Sequence, residues 1–103
     1  MGQVRPVKVR FTEPALADLS AVLAYIAEYS PQGAKRVQAR IRTAIELLRT
    51  HPRVGTRTSD ATVRRLVTTP YPYLIFYEVG TEEIVIHAVR HAARDPNLPD
   101  RSK

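Results

Sequence analysis

The pattern at the start of the chain predicts a half-buried strand followed by a helix. Val7, Val9 and Phe11 alternate with two basic residues, and a period of two places apolar side chains on one face of a strand. Thr12 then supplies a capping hydroxyl, and Pro14 suits the first helical turn because no backbone donor is needed there. A helix is therefore expected directly after the strand.

Two apolar stripes with helical spacing follow. The first helix is predicted to run to about Tyr29. Ser30 and Pro31 repeat the capping signal, and the second helix is predicted to stop near His51. Because the connection is short, the helices should form an antiparallel hairpin whose stripes face a shared surface. The stripes are Leu16, Leu19, Leu23 and Ile26 in the first helix, and Val37, Ile41, Ala44, Ile45 and Leu48 in the second.

The last third of the chain reads as a three-stranded antiparallel meander. Residues 63–67 predict one strand, and residues 73–79 and 84–90 predict a hairpin around Gly80. The run 74–77 is apolar at every position, so this strand should lie centrally in the sheet. The expected fold is α+β: the first strand and the meander form one sheet, with the helical hairpin packed on it.

Composition fits a single domain. With 103 residues, 44% of them hydrophobic, the chain supports one core, expected over residues 1–96, and residues 97–103 are expected to form an extended or mobile tail. No apolar run is long enough for a membrane span, and the first residues lack the apolar stretch of a signal peptide, so a cytoplasmic protein is expected. The absence of cysteine excludes thiolate nucleophiles and thiolate metal sites.

Positive charge is concentrated in one segment. The net charge is +6, and residues 35–65 hold nine lysines and arginines against two acidic residues, a local surplus of seven. Such a surplus favours an acidic partner, either nucleic acid or an acidic protein segment. For the basic residues of the second helix, solubilisation of an exposed face is the favoured explanation; these residues are Lys35, Arg36, Arg40, Arg42 and Arg49.

Three motifs accompany this order of elements: Arg64-Arg65-Leu66, Tyr73-Leu74-Ile75-Phe76-Tyr77 and Val89-Arg90-His91-Ala92-Ala93-Arg94-Asp95-Pro96. Together they resemble the ParE branch of the RelE/ParE toxin superfamily. The resemblance implies a bacterial type II toxin of the plasmid-stabilisation kind, neutralised by a cognate ParD-like antitoxin in a hetero-oligomer. ParE-like members inhibit DNA gyrase by binding, whereas RelE-like members are ribosome-dependent endoribonucleases that cut mRNA.

Two details favour the gyrase-binding activity, and with it a protein that is not an enzyme. The chain has only three lysines, and it continues past His91 into a tail, whereas RelE-like nucleases carry more basic residues and often end soon after the last strand. The predicted toxic surface is Arg65, Tyr77, Arg90, His91 and Arg94. The predicted antitoxin-binding residues are Arg36, Arg40 and Arg64. Which of Arg64 and Arg65 faces solvent stays open, because a one-residue change of register exchanges them.

The alternative activity needs a base, an acid and cations around the phosphate. Glu46, Arg65 and His91 are the candidates for these roles in an endoribonuclease, and a basic nucleic-acid-binding module is a third hypothesis. An equal alternative for His91 is that its imidazole ties the end of the strand to a neighbouring carbonyl or carboxylate. His87 is expected to be packed and hydrogen-bonded, on the strand face that holds Val85 and Val89. A strand separates the two histidines by roughly 13 Å, too far for joint metal ligation, and no cofactor is implied.

Overall fold

The computed structural model describes residues 7–94 and residue 97 and contains two helices and five strands. Apart from residue 97, the predicted tail lies outside the described residues, as does the end of the predicted domain at residues 95 and 96. In chain order the elements are β1 (Lys8–Phe11), α1 (Glu13–Tyr29), α2 (Pro31–Thr50), β2 (Thr56–Arg57), β3 (Val63–Val67), β4 (Tyr73–Val79) and β5 (Glu83–His91).

Both helices begin at the predicted caps. The Thr12 hydroxyl accepts a hydrogen bond from the Ala15 N–H at 3.1 Å, and the Ser30 hydroxyl accepts one from the Gly33 N–H at 2.9 Å. Each cap satisfies one of the N–H groups that lack a partner at a helix start. Ser30 is also the C-cap of α1, so a single residue ends one helix and begins the next. Neither helix has the length and apolar character needed to span a bilayer.

The strands form one mixed sheet in the order β1-β5-β4-β3-β2. β1 pairs with β5 in parallel, and the other pairs are antiparallel. The apolar strand β4 is central, as predicted. The predicted α+β fold is confirmed, with one addition: β2 was not predicted. Its two residues are both exposed, and two positions are too few to show alternation.

The helices cover one face of the sheet and form the main core there. The opposite face, called the outer face below, carries a smaller cluster of buried side chains. Two-sided burial explains why β4 is apolar at successive positions. The main core contains Val37, Ile41, Ala44 and Leu48 of α2, with Tyr73, Ile75, Tyr77, Ile84, Ile86 and Val89 of the sheet, and the outer cluster contains Val63, Leu74, Phe76 and Ala88.

A β-bulge in β5 reverses the direction of the side chains that follow it. Phe76 pairs with Ala88 but Tyr77 pairs with Ile86, so His87 is an extra residue in β5. Ile86 lies in the main core before the bulge and Val89 lies there after it. An unbroken strand cannot place these two residues on one face, because their separation is odd.

The bulge corrects one expectation and sets the geometry of the strand end. Val85 pairs with Glu78 on the outer face, whereas Val89 pairs with Ile75 towards the helices, so the prediction that both share a face with His87 was wrong. After the bulge, Arg90 lies opposite Leu74 on the outer face.

Candidate functional site

His91 ends β5 and holds the turn that follows. Its Nδ1 accepts hydrogen bonds from the backbone N–H groups of Ala93 at 3.1 Å and Arg94 at 3.2 Å. These two donors assign the ring proton to Nε2. The ring also makes an edge contact with Tyr73, with centroids 5.4 Å apart. His91 therefore ties the end of the strand to the turn that follows, as one of its two expected roles required, but its partners are backbone N–H groups and not a carbonyl or carboxylate.

The turn held by His91 places Arg94 against the first helix. The Arg94 guanidinium lies 4.8 Å from the centre of the Tyr25 ring, within the range of a cation–π interaction. Tyr25 in turn contacts Tyr29 edge to face, with centroids 5.3 Å apart. Tyr25 is 46% exposed and Tyr29 is 75% exposed. Tyr25, Tyr29 and Arg94 form what we call the Tyr–Arg patch.

Sequence reasoning missed the two tyrosines of this patch. They are more than 60 positions from Arg94, so no local motif connects them. A signal was nevertheless present: Tyr25 and Tyr29 are four residues apart and lie off the apolar stripe of α1, a spacing that puts two aromatic rings together on the exposed side of a helix.

The predicted toxic surface is divided between the two faces of the sheet. Arg65 pairs with Phe76, and Arg90 pairs with Leu74, so both arginines belong to the outer face. His91 and Arg94 lie towards α1. Arg65 is exposed and Arg90 is half-buried.

Tyr77 does not belong to any surface, so its assignment to the toxic surface was wrong. The side chain is fully buried in the main core. Its hydroxyl donates to the Pro52 carbonyl at 2.8 Å and accepts from the Gly55 N–H at 2.9 Å. Tyr77 therefore fastens the loop between α2 and β2 to the sheet.

Burial raises the pKa of the Tyr77 hydroxyl. The hydrogen bond from Gly55 and the positive charges of Arg64 and Arg53 offset part of this effect. The neutral form is therefore favoured in the folded protein, because burial disfavours the charged phenolate.

This shift predicts a loss of stability in alkaline solution. An unfolded tyrosine loses its proton near pH 10, while folded Tyr77 keeps its proton to higher pH. The unfolded state then binds fewer protons, so the free energy of unfolding should fall as pH rises above about 10. Urea unfolding at a series of alkaline pH values measures the slope of the free energy of unfolding against pH. Tyr77→Phe should reduce it, whereas Tyr29→Phe, which alters an exposed ring, should leave it unchanged. Equal slopes for the wild type and Tyr77→Phe would contradict the assignment.

The three predicted antitoxin-binding arginines have different surroundings. The Nη1 of Arg64 donates to the carbonyls of Gly55 at 2.8 Å and Arg53 at 3.2 Å. In the β3–β4 ladder Arg64 lies opposite Tyr77. Of the two neighbouring arginines, Arg65 is the exposed one, which answers the question that the sequence left open. Arg40 donates through Nε to the Thr69 carbonyl at 2.7 Å. The third residue, Arg36 on α2, is exposed.

A groove of about 240 Å³ lies along the helical hairpin on the other flank of α2. Its apolar floor and polar rim suit an amphipathic segment, and we call it the hairpin groove. Arg36 and Arg40 lie on the opposite side of the buried α2 stripe. The floor consists of Phe11, Leu19, Ile41 and Ile45, and the rim of Gln38, Arg42 and Glu46.

The structure does not bring the three nuclease candidates together. Glu46 lines the hairpin groove and forms an ion pair with Arg49 at 3.3 Å. Arg65 lies on the outer face, on the opposite side of the sheet from the helices. The Nδ1 of His91 accepts hydrogen bonds from the turn that follows β5.

The second histidine of β5 is packed and hydrogen-bonded, as predicted. His87 Nε2 lies 2.9 Å from Glu78 Oε1, and the His87 side chain is 16% exposed. Within the part of the chain that the structure describes, no three His, Asp or Glu residues are grouped as metal ligands.

Comparison with known protein sequences gives consistent results. Residues 9–96 match the family model of the ParE toxin of the type II toxin–antitoxin system parDE. Toxin RelE2 of Caulobacter vibrioides is 44% identical over 87 residues, which cover 84% of this chain and 97% of that protein. The putative toxin Y4kP of Sinorhizobium fredii is 36% identical over 85 residues, covering 82% of this chain and 88% of that protein.

Solved structures share the fold. A chain of the chromosomal ParDE toxin–antitoxin system from P. aeruginosa superposes with a TM-score of 0.70 at 23% identity, covering 82% of this chain and 95% of that one. A chain of the toxin–antitoxin complex RelBE2 from Mycobacterium tuberculosis superposes with a TM-score of 0.57 at 25% identity, covering 84% and 98%. The family model spans most of the chain and the relatives agree with it, so this chain belongs to the ParE toxin family of type II toxin–antitoxin systems.

Proposed function

We propose that this toxin inhibits DNA gyrase by binding to it, and that it is not a nuclease. The observation that carries the proposal is the separation of Glu46, Arg65 and His91. General acid–base catalysis requires its groups within hydrogen-bond reach of one substrate, whereas here the sheet lies between Glu46 and Arg65. The Nδ1 lone pair of His91 already accepts hydrogen bonds from two backbone N–H groups. These bonds would have to break before Nδ1 could accept a proton from a substrate.

In this proposal the Tyr–Arg patch is the centre of the target-binding surface. Tyrosine and arginine are enriched among the residues that dominate protein–protein binding energy. The patch combines two exposed rings with a guanidinium that is already oriented by Tyr25. A surface ordered before binding loses less conformational freedom on association. The patch therefore suits recognition of a protein partner with acidic groups.

We infer that the antitoxin binds in the hairpin groove, which revises the sequence-based assignment of antitoxin binding to Arg36, Arg40 and Arg64. The two solved neighbours come from a toxin–antitoxin system and a toxin–antitoxin complex, and a partner of that class is expected here. An amphipathic helix can bury its apolar side on the groove floor. Arg42 on the rim then offers a cation to acidic residues of the antitoxin, which adds charge complementarity.

Reversal of the charge at the groove rim should weaken neutralisation. Arg42→Glu is expected to lower antitoxin affinity about tenfold, because a like charge would face the acidic residues of the antitoxin. Arg36→Glu makes the same change on the opposite flank of α2 and is the matched control, with a smaller expected loss. Isothermal titration of each purified variant with the antitoxin measures both affinities. A larger loss for Arg36→Glu would place the antitoxin on the other flank.

The proposed activity is tested by two assays on the same purified toxin. One measures supercoiling of relaxed plasmid by DNA gyrase, and the other measures cleavage of mRNA on programmed ribosomes. Inhibited supercoiling with intact mRNA is the expected result. Cleaved mRNA with unaffected gyrase would reject the proposal in favour of the endoribonuclease.

A further inference from the structure

Three arginines from separate elements converge on an open pocket of about 270 Å³ at one end of the sheet. Arg53 comes from the loop after α2, Arg57 from β2 and Arg64 from β3. We call this feature the arginine pocket. It is distinct from the Tyr–Arg patch and from the hairpin groove, and neither of the two binding surfaces proposed above includes it.

The arginine pocket is partly organised in advance. Arg57 lies directly opposite Arg64 in the β2–β3 pairing, so the two side chains share a face. The Nη1 bonds from Arg64 to the Gly55 and Arg53 carbonyls hold its guanidinium in one position. Arg53 and Arg57 are exposed at the mouth of the pocket. One arginine is therefore held by the backbone while two can close on a ligand.

Carboxylates near the pocket do not neutralise it. Glu78 contributes to the lining, and its Oε1 lies 2.9 Å from His87 Nε2. Asp60 adjoins the pocket and accepts hydrogen bonds from the backbone N–H and hydroxyl of Thr62, at 2.9 and 2.7 Å. Both carboxylates have hydrogen-bond partners other than the three arginines and keep their negative charge, but three arginines outnumber two carboxylates. The pocket retains a positive charge that favours an anion.

The number and type of the cations indicate which anion fits. A carboxylate is planar, and one arginine fork can bind both of its oxygens. A phosphate group is tetrahedral and offers oxygens in several directions, which suits guanidinium groups that approach from different elements. We propose that Arg53, Arg57 and Arg64 form a binding site for a phosphate group of a nucleic-acid chain.

A polynucleotide is favoured over an isolated phosphate by the positive charge of the segment that supplies the three arginines. All three arginines belong to residues 35–65, the segment with a surplus of seven positive charges. A chain of regularly spaced phosphates interacts with such an extended surplus and releases its condensed counterions on binding. The pocket would bind one phosphate group of the chain at a defined position, in addition to this non-specific attraction.

Binding of a fluorescein-labelled oligothymidylate to the 103-residue chain, followed by anisotropy at several salt concentrations, tests the proposal. The double variant Arg53→Gln/Arg57→Gln leaves Arg64 and its loop contacts in place. It should bind about tenfold more weakly at low salt, and its slope of log affinity against log salt should be shallower by about one to two. Arg36→Gln/Lys35→Gln removes the same charge from α2 and should have a smaller effect. NMR titration with inorganic phosphate should shift the amides of Gly55, Arg57 and Thr62.

Three results would overturn the proposal. Equal losses for the two double variants would mean that the charge acts diffusely and not through the arginine pocket. Phosphate-induced shifts with unchanged oligonucleotide binding by Arg53→Gln/Arg57→Gln would mean that the pocket takes free phosphate alone. Displacement of the labelled oligonucleotide by a glutamate-rich peptide but not by inorganic phosphate would assign the pocket to an acidic protein.

Discussion

Replacement of Gly55 by alanine should lower the free energy of unfolding by about 3 kcal/mol, the upper end of the usual effect of overpacking. A Cβ atom at this position would lie 2.6 Å from the Tyr77 hydroxyl and 2.8 Å from the Arg65 carbonyl. Both neighbours are held in the sheet, and Gly55 is itself buried. The loop would have to move away and would lose the hydrogen bond between the Gly55 N–H and Tyr77. Urea unfolding followed by circular dichroism measures the change.

Gly33→Ala is the matched control for this substitution. The nearest atoms to a Cβ atom there belong to the Ser30 side chain, at 3.0 and 3.2 Å, and to the Ile26 side chain, at 3.4 Å. Alanine is also preferred over glycine within a helix by about 1 kcal/mol. The net change should therefore stay within about 1 kcal/mol of zero. A loss for Gly55→Ala no larger than for the control would show that the loop relaxes without strain. In a Tyr77→Phe background the Gly55→Ala change should be less destabilising, because one of the close contacts is removed.

Removal of the Tyr–Arg patch should have the largest effect on toxicity. Tyr25→Ala/Arg94→Ala deletes the ring and the guanidinium that stack on each other, and inhibition of gyrase should weaken by about 10- to 100-fold, as expected for loss of residues that dominate an interface. The measurement is the toxin concentration that halves supercoiling. Both side chains are exposed, so the thermal unfolding midpoint should change little.

Leu16→Ala controls for a general effect of altering exposed residues on α1. Leu16 is 51% exposed and is nine positions from Tyr25, about 13 Å along the helix, so its truncation should leave inhibition unchanged.

His91→Ala tests whether His91 is a catalytic residue. The substitution removes the two hydrogen bonds that hold the turn containing Arg94. A modest loss of gyrase inhibition is therefore expected. Loss of a general acid or base would reduce activity by roughly 10²- to 10⁴-fold. A loss of that size for His91→Ala, together with an unaffected Tyr25→Ala/Arg94→Ala variant, would contradict a binding surface at the patch.

Local chemistry made most of the fold predictable. Helix starts follow from a hydroxyl and a proline that act within three or four residues, and strand β3 was predicted with its observed bounds. The short strand β2 was not predictable, because pairing with β3 and not its own pattern makes it a strand. Tyr77 was misassigned for a related reason: a tyrosine in an apolar strand can turn its hydroxyl to solvent or to a buried loop. The loop that receives it is more than 20 positions away.

The amino-acid sequence by itself determined the order of the elements other than β2, the amphipathic helical hairpin and the central position of β4, since each depends on the pattern within a segment. The toxin superfamily was indicated by the resemblance of three motifs and of the order of elements. Tertiary structure alone decided which charged and aromatic groups meet. The bulge at His87 turned Arg90 to the outer face, because one added residue reverses every later side chain of a strand. Packing of α1 beside the end of β5 brought Tyr25 to Arg94, and the β2–β3 pairing placed Arg57 opposite Arg64. These contacts join residues far apart in the chain, and only the folded backbone brings them within reach.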